Sequence, residues 1–311
     1  MKKLLVICGP TATGKTGLAL ELARKFDGEV LSADSRQVYK GMDIGTGKDL
    51  GEIEKSGIKV WGVDLVFPSE KFSVAQYLEV GERVVEEILD RKRLPIVVGG
   101  TGLYIKGLID GISTTQILPN FDLRLRLNKL SASDLLAELS RVDSEKVEAM
   151  NGSDRKNPRR IIRAIEIARS KNQGLGIQNE SKYDVLWVGL KIEKEKLKKR
   201  ISDRVKERLN DGFGDEINEL LKNGVGWDDQ AMQALGYRQW RDYLEGRISR
   251  NEAVSEWIRQ EQKYAKRQMT WFGAEKRISW FDVSEKEWRE KVEAVVQKWY
   301  KSSRSLNGKE D

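Results

Sequence analysis

A glycine-rich run near the start of the chain has the spacing of a phosphate-binding loop. Residues 9–16 read Gly-Pro-Thr-Ala-Thr-Gly-Lys-Thr, which matches the pattern G-x-x-x-x-G-K-[ST]. In such a loop the glycines let successive backbone N–H groups point at phosphate oxygens, and the following helix adds its positive N-terminus. The apolar run 4–8 predicts a buried strand before the loop, and residues 15–26 predict a helix after it. The sequence therefore predicts a site for phosphate or pyrophosphate, and does not by itself specify ATP or hydrolysis.

The side chains of this loop offer complementary chemistry. Lys15 supplies a positive charge to the outer phosphate, and the Thr16 hydroxyl is suited to bind Mg²⁺. The predicted diphosphate-binding residues are Gly9, Thr11, Ala12, Thr13, Gly14, Lys15 and Thr16.

Two further predicted strands end in polar residues. Asp34 follows the run 29–33, and Thr101 follows the buried run 94–98 within Gly-Gly-Thr-Gly. Because ligands bind at the carboxyl ends of strands in open α/β sheets, we expect both side chains beside the phosphate loop. The chain has 0 His, which excludes Ser-His-Asp and Cys-His catalysis and makes Asp34 the leading candidate for a general base. A turn-forming or Mg²⁺-associated Asp34, and a helix-capping Thr101, are the alternatives.

The composition narrows the protein class. Of 311 residues, 39% are hydrophobic and 34% charged, which is typical of a folded globular protein. A single Cys excludes a disulfide framework and a Cys/His zinc site. The net charge of +7 is compatible with a polyanionic partner without establishing one. No apolar run approaches the roughly 20 residues that span a bilayer, so we expect a cytoplasmic protein with no membrane contact.

The order of predicted elements indicates an α/β fold: a P-loop NTPase-like parallel sheet core with a helical insertion domain. Strand and helix patterns alternate as far as Pro119, only helical periodicity follows, and a buried strand returns at 185–190. We therefore predict a core formed by residues 1–117 and 183–311 and an insertion formed by residues 118–182. Later helices are predicted at 193–223, 230–243, 251–272 and 286–300, with a strand at 277–283.

Taken together, six stretches resemble the tRNA dimethylallyltransferase family. They occur in the family's order and span nearly the whole chain. The stretches are residues 9–16, 34–48 (beginning Asp-Ser-Arg-Gln-Val-Tyr), 98–104 (Val-Gly-Gly-Thr-Gly-Leu-Tyr), 160–166 (Arg-Ile-Ile-Arg-Ala-Ile-Glu), 234–239 (Ala-Leu-Gly-Tyr-Arg-Gln) and 264–272 (Tyr-Ala-Lys-Arg-Gln-Met-Thr-Trp-Phe).

The resemblance implies transfer of a dimethylallyl group from its diphosphate to the exocyclic N6 amine of the adenosine 3′-adjacent to the anticodon of tRNA. The phosphate loop would hold dimethylallyl diphosphate with Mg²⁺ rather than ATP, and Asp34 would deprotonate the amine. Thr101 and Arg238, with Thr13, Lys15 and Thr16, would stabilise the leaving pyrophosphate. The implied partner is the anticodon stem-loop, bound by a monomer.

One stretch departs from the family pattern. Members usually carry a His-His pair before an Ile/Leu-Asp, whereas residues 60–65 here read Val-Trp-Gly-Val-Asp-Leu. Whatever those histidines do elsewhere is not available to this chain.

Two basic clusters and one crevice segment are the candidate RNA contacts. A target adenosine must leave the stacked anticodon loop before its amine is reachable, and residues at the crevice edge are placed to read it. In the insertion, Arg159 and Arg163 share a helix face after Pro158. The alternative to an RNA contact is that this face is simply solvated. The intervening isoleucines are expected to point toward the insertion core. The predicted set is Asp34, Ser35, Arg36, Gln37, Arg159, Arg160, Ile161, Ile162, Arg163, Lys266 and Arg267.

Three other functions share parts of this pattern. A prenyltransferase acting on free adenine nucleotide needs the same loop and base, but has no use for a basic helical insertion. A phosphate-loop small-molecule kinase also needs the loop and an Asp, and would consume ATP. A non-catalytic RNA-binding protein leaves both the loop and Asp34 without a purpose.

Overall fold

The computed structural model describes residues 2–112, 114, 117, 119–170 and 182–302. Two compact units share the chain: one comprises residues 1–110 and 181–311, and the other residues 111–180. The sequence predicts a later start of the insertion, at residue 118, because its strand–helix pattern breaks at the apolar run before Pro119, whereas the structure begins the second unit at residue 111.

The first unit is built on a sheet of six parallel strands, so the predicted α/β class and parallel sheet are confirmed. The spatial order is β3-β2-β4-β1-β5-β6. Residues 4–8 of the central strand are fully buried, as a strand covered on both faces requires. The strands are β1 (Lys2–Cys8), β2 (Gly28–Ser32), β3 (Val60–Trp61), β4 (Leu94–Gly99), β5 (Tyr183–Lys191) and β6 (Ile278–Asp282).

Helices cover this sheet and form the second unit. In the first unit they are α1 (Lys15–Lys25), α2 (Leu50–Ser56), α3 (Val74–Asp90), α4 (Gly102–Asp110), and later α9 (Lys194–Asn210), α10 (Phe213–Lys222), α11 (Tyr237–Leu244), α12 (Arg250–Gly273) and α13 (Trp288–Lys301). In the second unit they are α5 (Phe121–Leu127), α6 (Ala132–Val142), α7 (Ser144–Ala149) and α8 (Pro158–Ser170). Among the residues described, no helix combines the length and the apolar character needed to cross a membrane.

Local chemistry sets several helix boundaries. Ser73 caps the N-terminus of α3, where its side chain and that of Gln76 form a reciprocal capping box. The helix predicted at 193–223 is instead two helices, because Gly212 lies between them with a φ of +99°. The helix predicted at 230–243 begins only at Tyr237, after Gly236 with a φ of +91°. A Cβ at Gly236 would lie 2.6 Å from the Trp257 indole, so the turn requires glycine.

The second unit has its own apolar core, and this core corrects one prediction. Ile161 is 0% and Ile162 4% exposed, and both pack among leucines of α5 and α6. The prediction that these two isoleucines contact RNA is therefore wrong, whereas the expectation that they face the insertion core is confirmed.

The Arg163 side chain is engaged in a polar network inside the second unit and does not form a solvated basic face with Arg159. Its guanidinium donates to the carbonyl oxygens of Thr114 (2.5 Å) and Ile117 (2.9 Å) and to the buried carboxylate of Glu166 (3.2 Å). Glu166 also accepts two hydrogen bonds from Arg124, of 2.7 and 2.9 Å. Burial raises the pKa of the Glu166 carboxyl, but these donors outweigh burial and hold the pKa below its usual value. Arg159, four residues earlier, is exposed.

We predict that Arg163→Ala destabilises the second unit by about 1–3 kcal/mol, because it removes one hydrogen-bond donor each from two carbonyl groups and from a buried carboxylate. Arg159→Ala on the same helix is the matched control and should change the free energy of unfolding by less than about 0.5 kcal/mol. Hydrogen exchange of the α8 amides in the full chain measures both. Equal protection in the two variants would contradict the structural role of Arg163.

Candidate active site

The carboxyl ends of three adjacent strands bring the predicted site together. β4 lies between β1 and β2, so the phosphate loop after β1, Thr101 after β4 and Asp34 after β2 meet at one edge of the sheet. The Ser35 N–H donates to the Thr101 hydroxyl oxygen (3.1 Å), and the Thr101 N–H to the Ala33 carbonyl (3.1 Å). The expected convergence of Asp34 and Thr101 is therefore present in the structure.

The phosphate loop has the backbone that its sequence predicts. Gly9 and Gly14 have φ values of +135° and +80°, and Ala12 between them has a φ of +62°. A Cβ at Gly9 would lie 2.3 Å from the Leu190 carbonyl oxygen, so β5 packs against the loop too closely for any side chain. The Lys15 ammonium donates to the Pro10 carbonyl (2.6 Å), as does the buried Thr13 hydroxyl (2.9 Å). The loop is thus closed on itself, with its lysine folded over it.

A second cation lies beside Lys15. Arg204, on α9, donates a hydrogen bond to the Thr11 hydroxyl. Burial, together with the neighbouring Arg204 charge, lowers the pKa of Lys15 to about 8. Burial also lowers the pKa of Arg204, with a further contribution from Arg208, but an arginine remains protonated at neutral pH. No described carboxylate lies within ion-pair distance of Lys15 or Arg204, so this is a site that favours an anion.

Two adjoining cavities open at this edge of the sheet, and five side chains line both of them. The shared residues are Thr11, Asp34, Thr46, Arg204 and Tyr264. The phosphate-side cavity continues past Lys15 and Thr16 to an apolar wall that includes Val60. The outer cavity continues past Ser35, Arg36 and Arg267. Asp34 therefore lies where a group bound at the phosphate loop meets a group bound in the outer cavity.

The surroundings of Asp34 fix its position. One of its carboxylate oxygens accepts the Arg36 N–H (2.8 Å). Tyr264 completes the wall of both cavities. Burial raises the pKa of Tyr264 well above its usual value, and the Asp34 charge adds to this, so Tyr264 stays protonated at neutral pH.

Gln268 of α12 connects the phosphate loop to the loop that carries Thr101. Its amide oxygen accepts the Thr11 N–H (2.9 Å), and its amide nitrogen donates to the Gly100 carbonyl (3.1 Å). A Cβ at Gly100 would lie 2.0 Å from that nitrogen, so the Gly-Gly sequence allows the contact. One buried side chain thus sets the distance between the phosphate loop and the loop that carries Thr101.

The other predicted site residues divide by location. Ser35, Arg36 and Arg267 line the outer cavity, and Lys266 is exposed on the same helix as Arg267. Gln37 lies on the phosphate side, and its amide is already engaged, since it donates to the Gly47 carbonyl (2.9 Å) and accepts from the Ser32 hydroxyl (2.8 Å). One N–H of the Gln37 amide and one lone pair of its oxygen are therefore engaged within the protein, which leaves the second N–H and the second lone pair for a base.

The arginine beside the phosphate loop differs from the predicted one. Arg238, predicted to stabilise pyrophosphate, is exposed on α11 and lines neither cavity. The arginine beside the phosphate loop is Arg204, which was not predicted. Its signal in the sequence is a stripe of arginines at 200, 204 and 208, spaced by one helical turn so that they share a face.

Comparison with known proteins identifies one enzyme family. A model of the family described as IPP transferase matches residues 37–275. The chain is 38% identical to the tRNA dimethylallyltransferase of Acetivibrio thermocellus, over 94% of this chain and 95% of that protein. It is 39% identical to the enzyme of the same name from Bacillus anthracis, over 92% of each chain.

Similar solved structures belong to the same enzyme family. The tRNA isopentenylpyrophosphate transferase of Bacillus halodurans superposes with a TM-score of 0.74 at 35% identity, over 99% of this chain and 100% of that one. A eukaryotic dimethylallyltransferase described as acting on tRNA gives a TM-score of 0.79 at 26% identity, over 95% of this chain and 78% of that one. The family model covers the site from Gln37 onward, and the relatives span nearly the whole chain: the protein belongs to the IPP transferase family.

Proposed function

We propose that this protein transfers the dimethylallyl group of dimethylallyl diphosphate to the N6 amine of the adenosine 3′-adjacent to the anticodon of tRNA. The observation that carries the proposal is the position of Asp34, which lines both the cavity at the phosphate loop and the outer cavity. An anion site, a carboxylate and a second opening are what a transfer from a diphosphate to a neutral amine needs. Family membership supports the same reaction.

The donor binds with its diphosphate on the phosphate loop. Lys15 and Arg204 supply fixed positive charge where negative charge develops as the diphosphate leaves, an interaction that is stronger in the transition state than in the ground state. The C1–O bond of the donor breaks, and the N6 lone pair forms the new C–N bond. The amine proton passes to Asp34, which leaves a neutral secondary amine and free diphosphate.

Mg²⁺ fits the donor set of the phosphate-side cavity. The Thr16 hydroxyl lines this cavity together with the carboxylates of Asp34 and Asp49, and these are the hard oxygen ligands that Mg²⁺ prefers. Thr16 and the donor's own diphosphate oxygens would hold the ion. When bound, Mg²⁺ offsets part of the diphosphate charge, while Lys15 and Arg204 orient the leaving group.

The acceptor enters through the outer cavity. Ser35, Arg36 and Arg267 surround the flipped adenosine, and Lys266 contacts the RNA backbone nearby. In the insertion, Arg159 and Arg160 are the proposed phosphate contacts. Both side chains are exposed, and Arg160 also forms an ion pair with Asp154. Arg163 contributes indirectly, because it holds the helix that carries them.

The reaction is tested with labelled dimethylallyl diphosphate, Mg²⁺ and an anticodon stem-loop RNA. We expect label in the RNA and an equivalent amount of free diphosphate, with no requirement for ATP. A matched stem-loop with purine riboside at the target position lacks the N6 amine and should remain unlabelled. Label in that control RNA, or stoichiometric hydrolysis of added ATP, would contradict the proposal.

Asp34→Asn keeps the size of the side chain and an oxygen for the Arg36 N–H, but removes the base. We expect the single-turnover rate of transfer to fall by about 10²–10⁴, while the dissociation constant of dimethylallyl diphosphate stays within about twofold. Glu54→Gln, an exposed carboxylate on α2, is the control and should leave the rate unchanged. A near-normal rate in Asp34→Asn would remove Asp34 from the mechanism.

Binding of the donor should weaken as the pH rises through about 8. Lys15 binds the diphosphate in its charged form, and its pKa in the free protein is lowered to about 8, so the affinity is full below that pH and declines above it. At pH 8, donor binding should take up about half a proton, which calorimetry in buffers of different ionisation enthalpy measures. Lys15→Arg stays charged throughout and should flatten the profile. An identical profile in both proteins would rule out Lys15 as its source.

A further inference from the structure

The two cavities share a wall made by one loop, which we call the wall loop, residues 43–49. Gly45 and Thr46 face the outer cavity, while Thr46, Gly47, Lys48 and Asp49 line the phosphate side. The wall loop follows the segment that carries Asp34 and Arg36. Its position therefore sets the width of the space in which the acceptor base meets Asp34.

A single carboxylate outside both cavities holds the first half of the wall loop. Glu216, on α10, accepts the N–H groups of Asp43 (2.6 Å) and Ile44 (2.6 Å) on one oxygen and that of Gly45 (3.0 Å) on the other. Three successive N–H groups converging on one anion form a backbone nest, here filled by the protein's own side chain.

The Glu216 carboxylate is itself fixed by a buried tyrosine. The Tyr237 hydroxyl donates to the same oxygen that accepts the Gly45 N–H, at 2.5 Å. Tyr237 is fully buried, and a Cβ at Gly45 would lie 2.4 Å from its hydroxyl oxygen. The wall loop, Glu216 and Tyr237 therefore fit together only because position 45 has no side chain.

The second half of the wall loop has anchors of its own, and one of them also reaches Asp43. The ammonium of Lys48 is fully buried and donates to the Asp43 and Asp64 carboxylates (2.6 and 2.5 Å) and to the Tyr39 carbonyl (2.6 Å). Gln37 also holds the Gly47 carbonyl. The phosphate loop is held elsewhere, by Gln268 and Arg204. Loss of Glu216 should thus release the outer-cavity wall and leave the donor site in place.

We propose that Glu216 is a positioning residue for the acceptor: it holds Gly45 and Thr46 so that the outer cavity presents the target adenosine to Asp34. This inference rests on the proposed function. Since Gly45 lines only the outer cavity, Glu216 affects binding and alignment of RNA and not binding of the prenyl diphosphate. A displacement of about 1 Å between reacting groups reduces a rate by up to about 10²-fold, so the loss of a remote contact can be detected in the rate of transfer.

The test compares Glu216→Gln with Glu219→Gln, an exposed glutamate on the same helix. The Gln amide nitrogen cannot accept an N–H, so at least one bond to the wall loop is lost. We expect kcat/KM for the stem-loop RNA to fall at least about tenfold in Glu216→Gln, and the dissociation constant of dimethylallyl diphosphate to stay within about twofold. Glu219→Gln should match the unsubstituted protein in both.

Tyr237→Phe provides a graded second variant, because it removes one hydrogen bond from Glu216 and leaves the three N–H bonds. Its kcat/KM for RNA should fall about twofold to tenfold, again with unchanged donor binding. If Glu216→Gln does not fold, this variant decides the question. Unchanged RNA kinetics in the folded variants, or equal losses in RNA kinetics and donor affinity, would overturn the inference. Absence of transfer by the unsubstituted protein would instead refute the proposed function.

Discussion

The packing of two partly buried cations, Lys15 and Arg204, against the phosphate loop is the constraint on which the site depends. Both cations lie beside the phosphate loop, and no described carboxylate forms an ion pair with either. Such a pair opposes folding until an anion arrives, and the free energy of anion binding then adds to the stability of the loaded protein. The parallel sheet makes the arrangement possible, since β1 fixes the loop that carries Lys15 and α9 presents Arg204 from outside the sheet.

The side chains that line the two cavities are positioned by hydrogen bonds between different secondary-structure elements, and not by the elements alone. Gln268 sets the spacing of two strand-end loops, and Glu216 holds the wall between the cavities. Neither side chain lines the outer cavity. Different side chains therefore support the phosphate loop and the wall of the outer cavity.

The local parts of this architecture could be predicted, and the long-range parts could not. The phosphate loop, Asp34 and Thr101 each follow a buried strand, and the carboxyl ends of parallel strands meet at one edge, so their convergence follows from the sequence pattern. Arg204 reaches the loop only because α9 packs beside it after the insertion, a tertiary contact that no spacing specifies. The engagement of the Gln37 amide by Ser32 and Gly47 is likewise invisible in sequence, as is the capture of Arg163 by carbonyl groups.

The double contact of Gln268 also restricts how this chain can change over evolutionary time. Gln268 lies on α12 one residue after Arg267, which faces the outer cavity. Each residue of an α-helix is rotated by about 100° from the one before it, so a single insertion or deletion between Ser249 and Gln268 would turn the glutamine away from both loops and swing Arg267 off the cavity. Changes of length are therefore expected to accumulate beyond the ends of α12, and within the helix only substitutions that preserve its register are compatible with an assembled site.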